Sequence, residues 1–173
     1  MTYLLRVLAL LTVAPVIAHA QLAQSRQGFG MSLGVYRVTD FGLSGQVCEF
    51  SAGIKGGGAY LRMGGHSRPS LFAGVELNAT VQTHGCRGDL FLLSAAFVVQ
   101  WYPRVASGFY LKGGAGPAVV TNGDDYGPGV SLNLGLGYDV RLSRTFSLSP
   151  QANYVRTIDY TDAVQLGVGL TWH

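Results

Sequence analysis

From Val130 to Leu142 the chain reads VSLNLGLGYDVRL, with an apolar or aromatic side chain at every even position and Ser131, Asn133, Gly135, Gly137, Asp139 and Arg141 between them. A period of two held over so long a run describes a β-strand with two unlike faces, because successive side chains of a strand point to opposite sides. The fold must give that oily face an apolar surrounding.

The same alternation returns in Phe29, Met31, Leu33 and Val35, in Leu71 through Val81, in Phe91 through Trp101 and in Val164 through Trp172. Turn-rich breaks divide the chain into eight expected strands: 28–36, 54–65, 70–83, 90–102, 109–120, 129–142, 146–158 and 164–173. Their opposite faces carry Gly, Ser, Thr, Asn, Gln and single charges, and none shows helical periodicity. With 173 residues, 48% hydrophobic but only 12% charged and with 25 glycines, the chain suits one domain and is unusually apolar for a soluble one. No stretch beyond residue 20 is apolar for long enough to make a transmembrane helix, so a membrane would have to be crossed by strands. The formal charge is +3, and it falls to +2 without Arg6. The remaining basic residues are scattered, which argues against nucleic acid as a partner.

Arg6, the apolar run VLALLTVAPVIA and the small-residue site Ala18-His19-Ala20 have the three parts of a secretory signal peptide. The expected division is a leader over 1–20 and a single barrel domain over 21–173. Gln21, not Cys, would follow the cut, so a lipoprotein anchor has no attachment point.

Connections alternate between short (HSRPS, PRVASG, SRT) and mostly longer (37–53, 84–89, 121–128, 159–163). Short turns at one end and longer loops at the other are expected of an up-and-down barrel in an outer membrane, with both termini at the short-turn, periplasmic end. A soluble lipocalin-like binder would turn its apolar face inward around a ligand. Here the other face is mostly Gly and Ser, a bare surface for water but a good filling for a narrow lumen. Phe29, Trp101, Phe109, Phe146 and Trp172 come from five strands, yet all fall near the short-turn ends on the apolar face, as a periplasmic aromatic girdle would. A looser outer set includes Phe91 and Tyr154, with Tyr36 and Tyr126 as further candidates.

The segments GFGMSLGVY, FYLKGGAGPAVV, LGLGYDVRLSRTFSLSPQANYV and VQLGVGLTWH, and with them nearly all of the chain after residue 20, resemble small bacterial outer-membrane β-barrel proteins, the porin-family or OmpA-like eight-stranded barrels. The resemblance implies an all-β fold, a closed eight-stranded antiparallel up-and-down transmembrane barrel in the bacterial outer membrane. It also implies contact with lipid, lipopolysaccharide and the outer-membrane insertion machinery. The ending resembles the assembly signal of such barrels, with Gln165, Gly167, Leu170 and Trp172 at the matching spacing, although the family usually stops on the aromatic and here His173 follows.

With alternation in place, Arg62, Glu76, Asn78, Gln100, Lys112, Asn133, Asp139, Arg141, Gln151 and Asn153 point inward. Opposite charges in so narrow a lumen should pair, because an isolated buried charge is costly. Arg62, Glu76, Lys112, Asp139 and Arg141 are therefore expected to form an ionic cluster. Arg62 would reach Glu76, and Lys112 would face Asp139 if Phe109 faces Leu142. Such a cluster makes a plug; the alternative is a charged filter passing small ions or solutes. Cys48 and Cys86 fall in the first and second outer loops, where export favours a disulfide, the alternative being two free thiols. A zinc site on Cys48, His84 and Cys86 lacks a fourth ligand, so no metal and no cofactor are expected. Neither His84 with Asp89 nor His66 with Ser67 completes a nucleophile, base and orienting acid on one rim, so the chain is read as a non-enzyme, with a lipid A modifying enzyme as a weaker rival. Asp124, Asp125, Asp159 and Asp162 make two outer loops acidic, solvated rather than ion-binding. The expected role is structural or surface-interacting; the oligomeric state is not legible.

Overall fold

The computed structural model describes residues 28–40, 55–84, 88–121, 126–158 and 161–173. The expected leader, Cys48, Cys86, Asp124, Asp125 and Asp159 lie outside these residues, and the side chains of His84, Asp89 and Asp162 are likewise not described. Nine strands follow in order: β1 Gly28–Asp40, β2 Lys55–Arg68, β3 Leu71–His84, β4 Gly88–Trp101, β5 Phe109–Thr121, β6 Tyr126–Tyr138, β7 Val140–Arg141, β8 Phe146–Thr157 and β9 Thr161–Trp172.

Sequential strands pair antiparallel, and β1 pairs with both β2 and β9, so the sheet closes on itself. β6 and β7 are two parts of one stave. Both pair with β8 in a single register, Gly137 opposite Gln151 before the gap and Val140 opposite Leu148 after it. The gap falls beside Pro150, which has no N–H to give to the ladder. The product is a closed eight-stranded up-and-down barrel.

The faces divide as the alternation requires. Leu132, Leu134 and Leu136 point outward with 43%, 63% and 50% of their surface exposed. Ser131 just before them and Asn133 between them are buried. The outward set continues around the wall through Leu33, Val35, Phe97 and Leu166, an apolar belt far larger than soluble monomers expose. In water it would be prohibitive; against hydrocarbon it is the favourable surface. A lipocalin-like arrangement has these faces exchanged. Strands of 12 to 14 residues, at about 3.3 Å per residue and a tilt of about 40°, stand roughly 30 Å tall, enough to cross an apolar band of about 25 Å.

The short turns are held by their own hydrogen bonds. Between β4 and β5, the Ser107 amide and hydroxyl both donate to the Arg104 carbonyl at 3.0 and 2.9 Å. Gly108 follows with φ 76°, a left-handed conformation that favours glycine. Between β7 and β8, Ser143 Oγ accepts from the amides of Thr145 and Phe146 at 3.2 and 3.1 Å. β1 extends to Asp40, four residues beyond the expected boundary at Tyr36. There the inward positions are Tyr36 and Val38 and the outward one is Arg37, so the apolar period that marks the strand reverses.

Candidate functional site in the barrel lumen

Glu76 is the hub of the interior. Arg62 on β2 stands directly opposite it in the β2–β3 ladder and donates from Nε to Oε2 at 2.7 Å. Lys112 on β5 reaches both carboxylate oxygens at 2.9 Å, and Asn78 Nδ2 donates to Oε1 at 2.9 Å. Lys112 can cross β4 because Ala96, the β4 residue opposite Glu76, has too small a side chain to separate them. Arg62 also donates to Gln151 Oε1 on β8 at 3.1 Å, and the Tyr110 hydroxyl donates to the same oxygen at 3.2 Å. The Arg62 guanidinium lies 5.1 Å and the Lys112 ammonium 6.0 Å from the centre of the Tyr60 ring. One carboxylate thus holds two cations, and the hydrogen bonds run from β2, β3 and β5 across to β8. Burial makes such contacts stronger, and makes losing any one of them costly.

Of the five residues expected in the ionic cluster, Arg62, Glu76 and Lys112 meet at the Glu76 carboxylate. Lys112 does not face Asp139: Phe109 pairs with Tyr138 and Lys112 with Gly135. A tilted, closed barrel staggers its strands, and the β6–β7 stave runs on past the start of β5. Asp139 lies beside the β4–β5 turn, its amide donating to the Gly108 carbonyl at 3.0 Å. Its carboxylate accepts from the Tyr102 hydroxyl at 3.0 Å and from Ser149 Oγ at 2.8 Å. Arg141 is half-exposed at the short-turn mouth. Gln100, Asn133 and Asn153 are buried on the inward face. Among the described residues, both amide atoms of Asn133, with Ser94 Oγ, Asn153 Oδ1 and Thr157 Oγ1, have no hydrogen-bond partner.

Sequence reasoning missed the inward aromatics. Tyr36, Tyr60, Phe72, Tyr102 and Tyr110 are all buried. Tyr36 belongs not to an outer girdle but to the lumen, where its hydroxyl bonds Thr80 Oγ1 at 2.8 Å and donates to the Ala79 carbonyl at 3.1 Å. The signal was parity: each shares its strand's inward register with Ser32, Arg62, Glu76, Gln100 or Lys112. Glycine makes the room. Tyr60 lies over Gly34, its cross-strand partner, and over Gly169, the next in the same row; a Cβ on either would collide with the tyrosine. The Tyr36 ring likewise covers Gly58, while Gly167 lies against the Tyr36 Cβ, and Tyr110 covers Gly137. Aromatic rings over strand glycines fill the space a narrow barrel leaves.

Of the expected girdle, Phe29, Trp101 and Trp172 are exposed on the outer wall, and Phe109 and Phe146 are half-exposed. Phe146 and Trp172 are cross-strand partners with ring centres 4.5 Å apart. In the outer set, Phe91 and Tyr126 are exposed and Tyr154 is half-exposed. In the terminal strand Gln165 is buried, Gly167 sits against Tyr36, and Leu170 and Trp172 face outward. The additional His173 is tied to the β7–β8 turn by its amide to the Thr145 carbonyl at 2.9 Å and by Nε2 to Ser147 Oγ at 2.9 Å. His66 is not a free turn histidine: its ring packs on Phe72 and Tyr102 at 5.2 and 6.0 Å. Among the described residues no group of three or more His, Cys, Asp or Glu side chains could hold a metal ion.

No family model matches the chain, and no curated protein does. Solved structures do. Neisserial surface protein A superposes with a TM-score of 0.53 at 13% identity, over 83% of this chain and 95% of that one. OprG, an outer membrane protein from Pseudomonas aeruginosa, gives 0.53 at 17% identity, over 88% and 99%. The fold is that of an outer-membrane β-barrel. The outer membrane protein Ail of Yersinia pestis, in a bilayer nanodisc, gives 0.50 at 14% identity, over 83% and 99%. At these identities the likeness is one of architecture, and nothing carries over to individual side chains.

Proposed function

We propose that the protein is an integral outer-membrane barrel with a structural or surface-interaction role, its lumen closed by polar and charged side chains. The observation that carries this reading is the Glu76 hub, whose partners on β2, β3 and β5 connect through Arg62 to Gln151 on β8. In a barrel of eight staves the interior is just wide enough for side chains to fill. On this reading lipid and lipopolysaccharide surround the outer wall, the insertion machinery reads the Gln165 to Trp172 strand, and no catalytic step is assigned.

Planar-bilayer recording tests the closure. The unaltered chain should give no steady single-channel current, whereas Tyr60→Ala combined with Glu76→Ala and Lys112→Ala should open one. Steady conductance of the unaltered chain, abolished or rescaled by Lys112→Met, would instead establish a narrow pore. That second reading is favoured by the unpartnered polar atoms of Ser94, Asn133, Asn153 and Thr157, which call for hydration of part of the interior. Cell fractionation with heat-modifiable gel mobility tests the location, and an unchanged lipid A mass spectrum on overexpression is expected.

A further inference from the structure

The ends of the barrel differ in charge. Each of the three short turns carries one exposed arginine in it or at its edge: Arg68 at the end of β2, Arg104 between β4 and β5, and Arg144 between β7 and β8. None of these turns contains a carboxylate. Every acidic residue other than Glu76 and Asp139 falls, in sequence, within or beside the long connections of the opposite end. The two exceptions lie in the lumen, where Glu76 is engaged by Arg62 and Lys112 and Asp139 accepts from Tyr102 and Ser149. The short turns thus present exposed cations and no carboxylate of their own, and the acid nearest them, Asp139, is buried.

These cations also have a defined depth. Arg104 follows Trp101 by three residues, and Arg144 precedes Phe146, the partner of Trp172, by two. Arg68 pairs with Leu71, which pairs in turn with Trp101. Outward Trp and Phe mark the boundary between hydrocarbon and headgroups. At about 3.3 Å per residue the arginine backbones lie within roughly 10 Å of it. An arginine side chain spans what remains. Ser107 and Ser143 tie the turn backbones that carry Arg104 and Arg144.

We propose that Arg68, Arg104 and Arg144 form a binding ring for anionic phospholipid headgroups, typified by phosphatidylglycerol, in the leaflet at the short-turn end. This rests on the membrane reading above. Guanidinium is suited to phosphate because its planar fork donates two parallel hydrogen bonds. The three turns join alternate pairs of staves and so are spread around the circumference. An annulus of lipid meets all of them at once, whereas a protein or polymer docking on one flank meets one or two. Arg141, half-exposed at the same mouth, adds to the field.

The chain's two tryptophans, Trp101 and Trp172, are native reporters at this end. The full chain is refolded into phosphatidylcholine vesicles containing an equal fraction of either brominated phosphatidylcholine or brominated phosphatidylglycerol. Tryptophan fluorescence should be quenched more by the brominated anionic lipid, consistent with an enrichment of about two-fold or more around the barrel at low salt. Raising the salt to about 0.5 M should remove the difference. Replacing the three arginines together (Arg68→Ser, Arg104→Ser, Arg144→Ser) should abolish it, while Arg37→Ser with Arg156→Ser at the far end leaves it intact. Equal quenching in the parent chain, or a preference that survives the triple replacement, overturns the proposal with the barrel reading untouched. Quenching by neither lipid, with no heat-dependent gel shift, overturns the barrel reading and the proposal together.

Discussion

Replacing Glu76 by Gln keeps the shape of the hub and removes its charge. In the native lumen that one carboxylate faces Arg62 at 2.7 Å and Lys112 at 2.9 Å, with the two cations only 3% and 4% exposed. The amide oxygen can still accept a hydrogen bond, but two buried positive charges then share a site with no counter-charge on it. Removing one partner of a buried ion pair costs about 3–5 kcal/mol, and here both cations lose the same partner, so the upper part of that range is expected. Lys112→Met should behave differently. It removes the surplus cation, leaves Arg62 and Glu76 as a balanced pair and fills much the same volume, a change of about 0–1.5 kcal/mol of either sign. Equilibrium unfolding in guanidinium from phospholipid vesicles, followed by Trp101 and Trp172 fluorescence, measures both. A Glu76→Gln cost below about 1.5 kcal/mol, or a Lys112→Met cost as large as that of Glu76→Gln, refutes a hub held together by the Glu76 charge.

Leu134→Arg separates the membrane reading from a soluble one. At the middle of its strand and 63% exposed, Leu134 could become Arg in water at almost no cost, but against hydrocarbon the change should cost about 2–4 kcal/mol in vesicle unfolding. An unchanged midpoint would sink the outward-facing-lipid argument. Gly34→Val should destabilise by about 1–3 kcal/mol, since its Cβ would fall 2.7 Å from the Val168 carbonyl oxygen and against the Tyr60 ring. Gly113→Ala on the outer wall, where the nearest neighbour of a Cβ is the Leu134 side chain at 3.9 Å, should be neutral or mildly stabilising. Equal costs for the two would show that the rings do not occupy the glycine seats.

Periodicity carried the fold: once Leu132, Leu134 and Leu136 are set outward, the inward direction of Arg62, Glu76 and Lys112 follows from parity alone. What parity cannot supply is stagger. The height at which Lys112 meets β6 depends on the shear of the closed sheet, and a register that sets Phe109 opposite Leu142 places Asp139 where Gly135 stands. The inward tyrosines were obscured for another reason. Tyr36, Tyr60 and Tyr110 are aromatics on the polar stripe, and a reading that equates oily with outward passes over them. Their partners, Gly34, Gly58 and Gly137, resemble curvature-permitting residues until the ring above each is seen.

Tyr60 sits where the chain's first and last strands meet. Its seat has two halves, Gly34 on β1 and Gly169 on β9, which are neighbours only in the finished cylinder. An unrolled sheet offers the ring half a cradle, so docking of this one phenol and joining of the two ends are a single event. The side chain acts as a latch that cannot engage early, and an open intermediate and a sealed one differ most sharply at its hydroxyl.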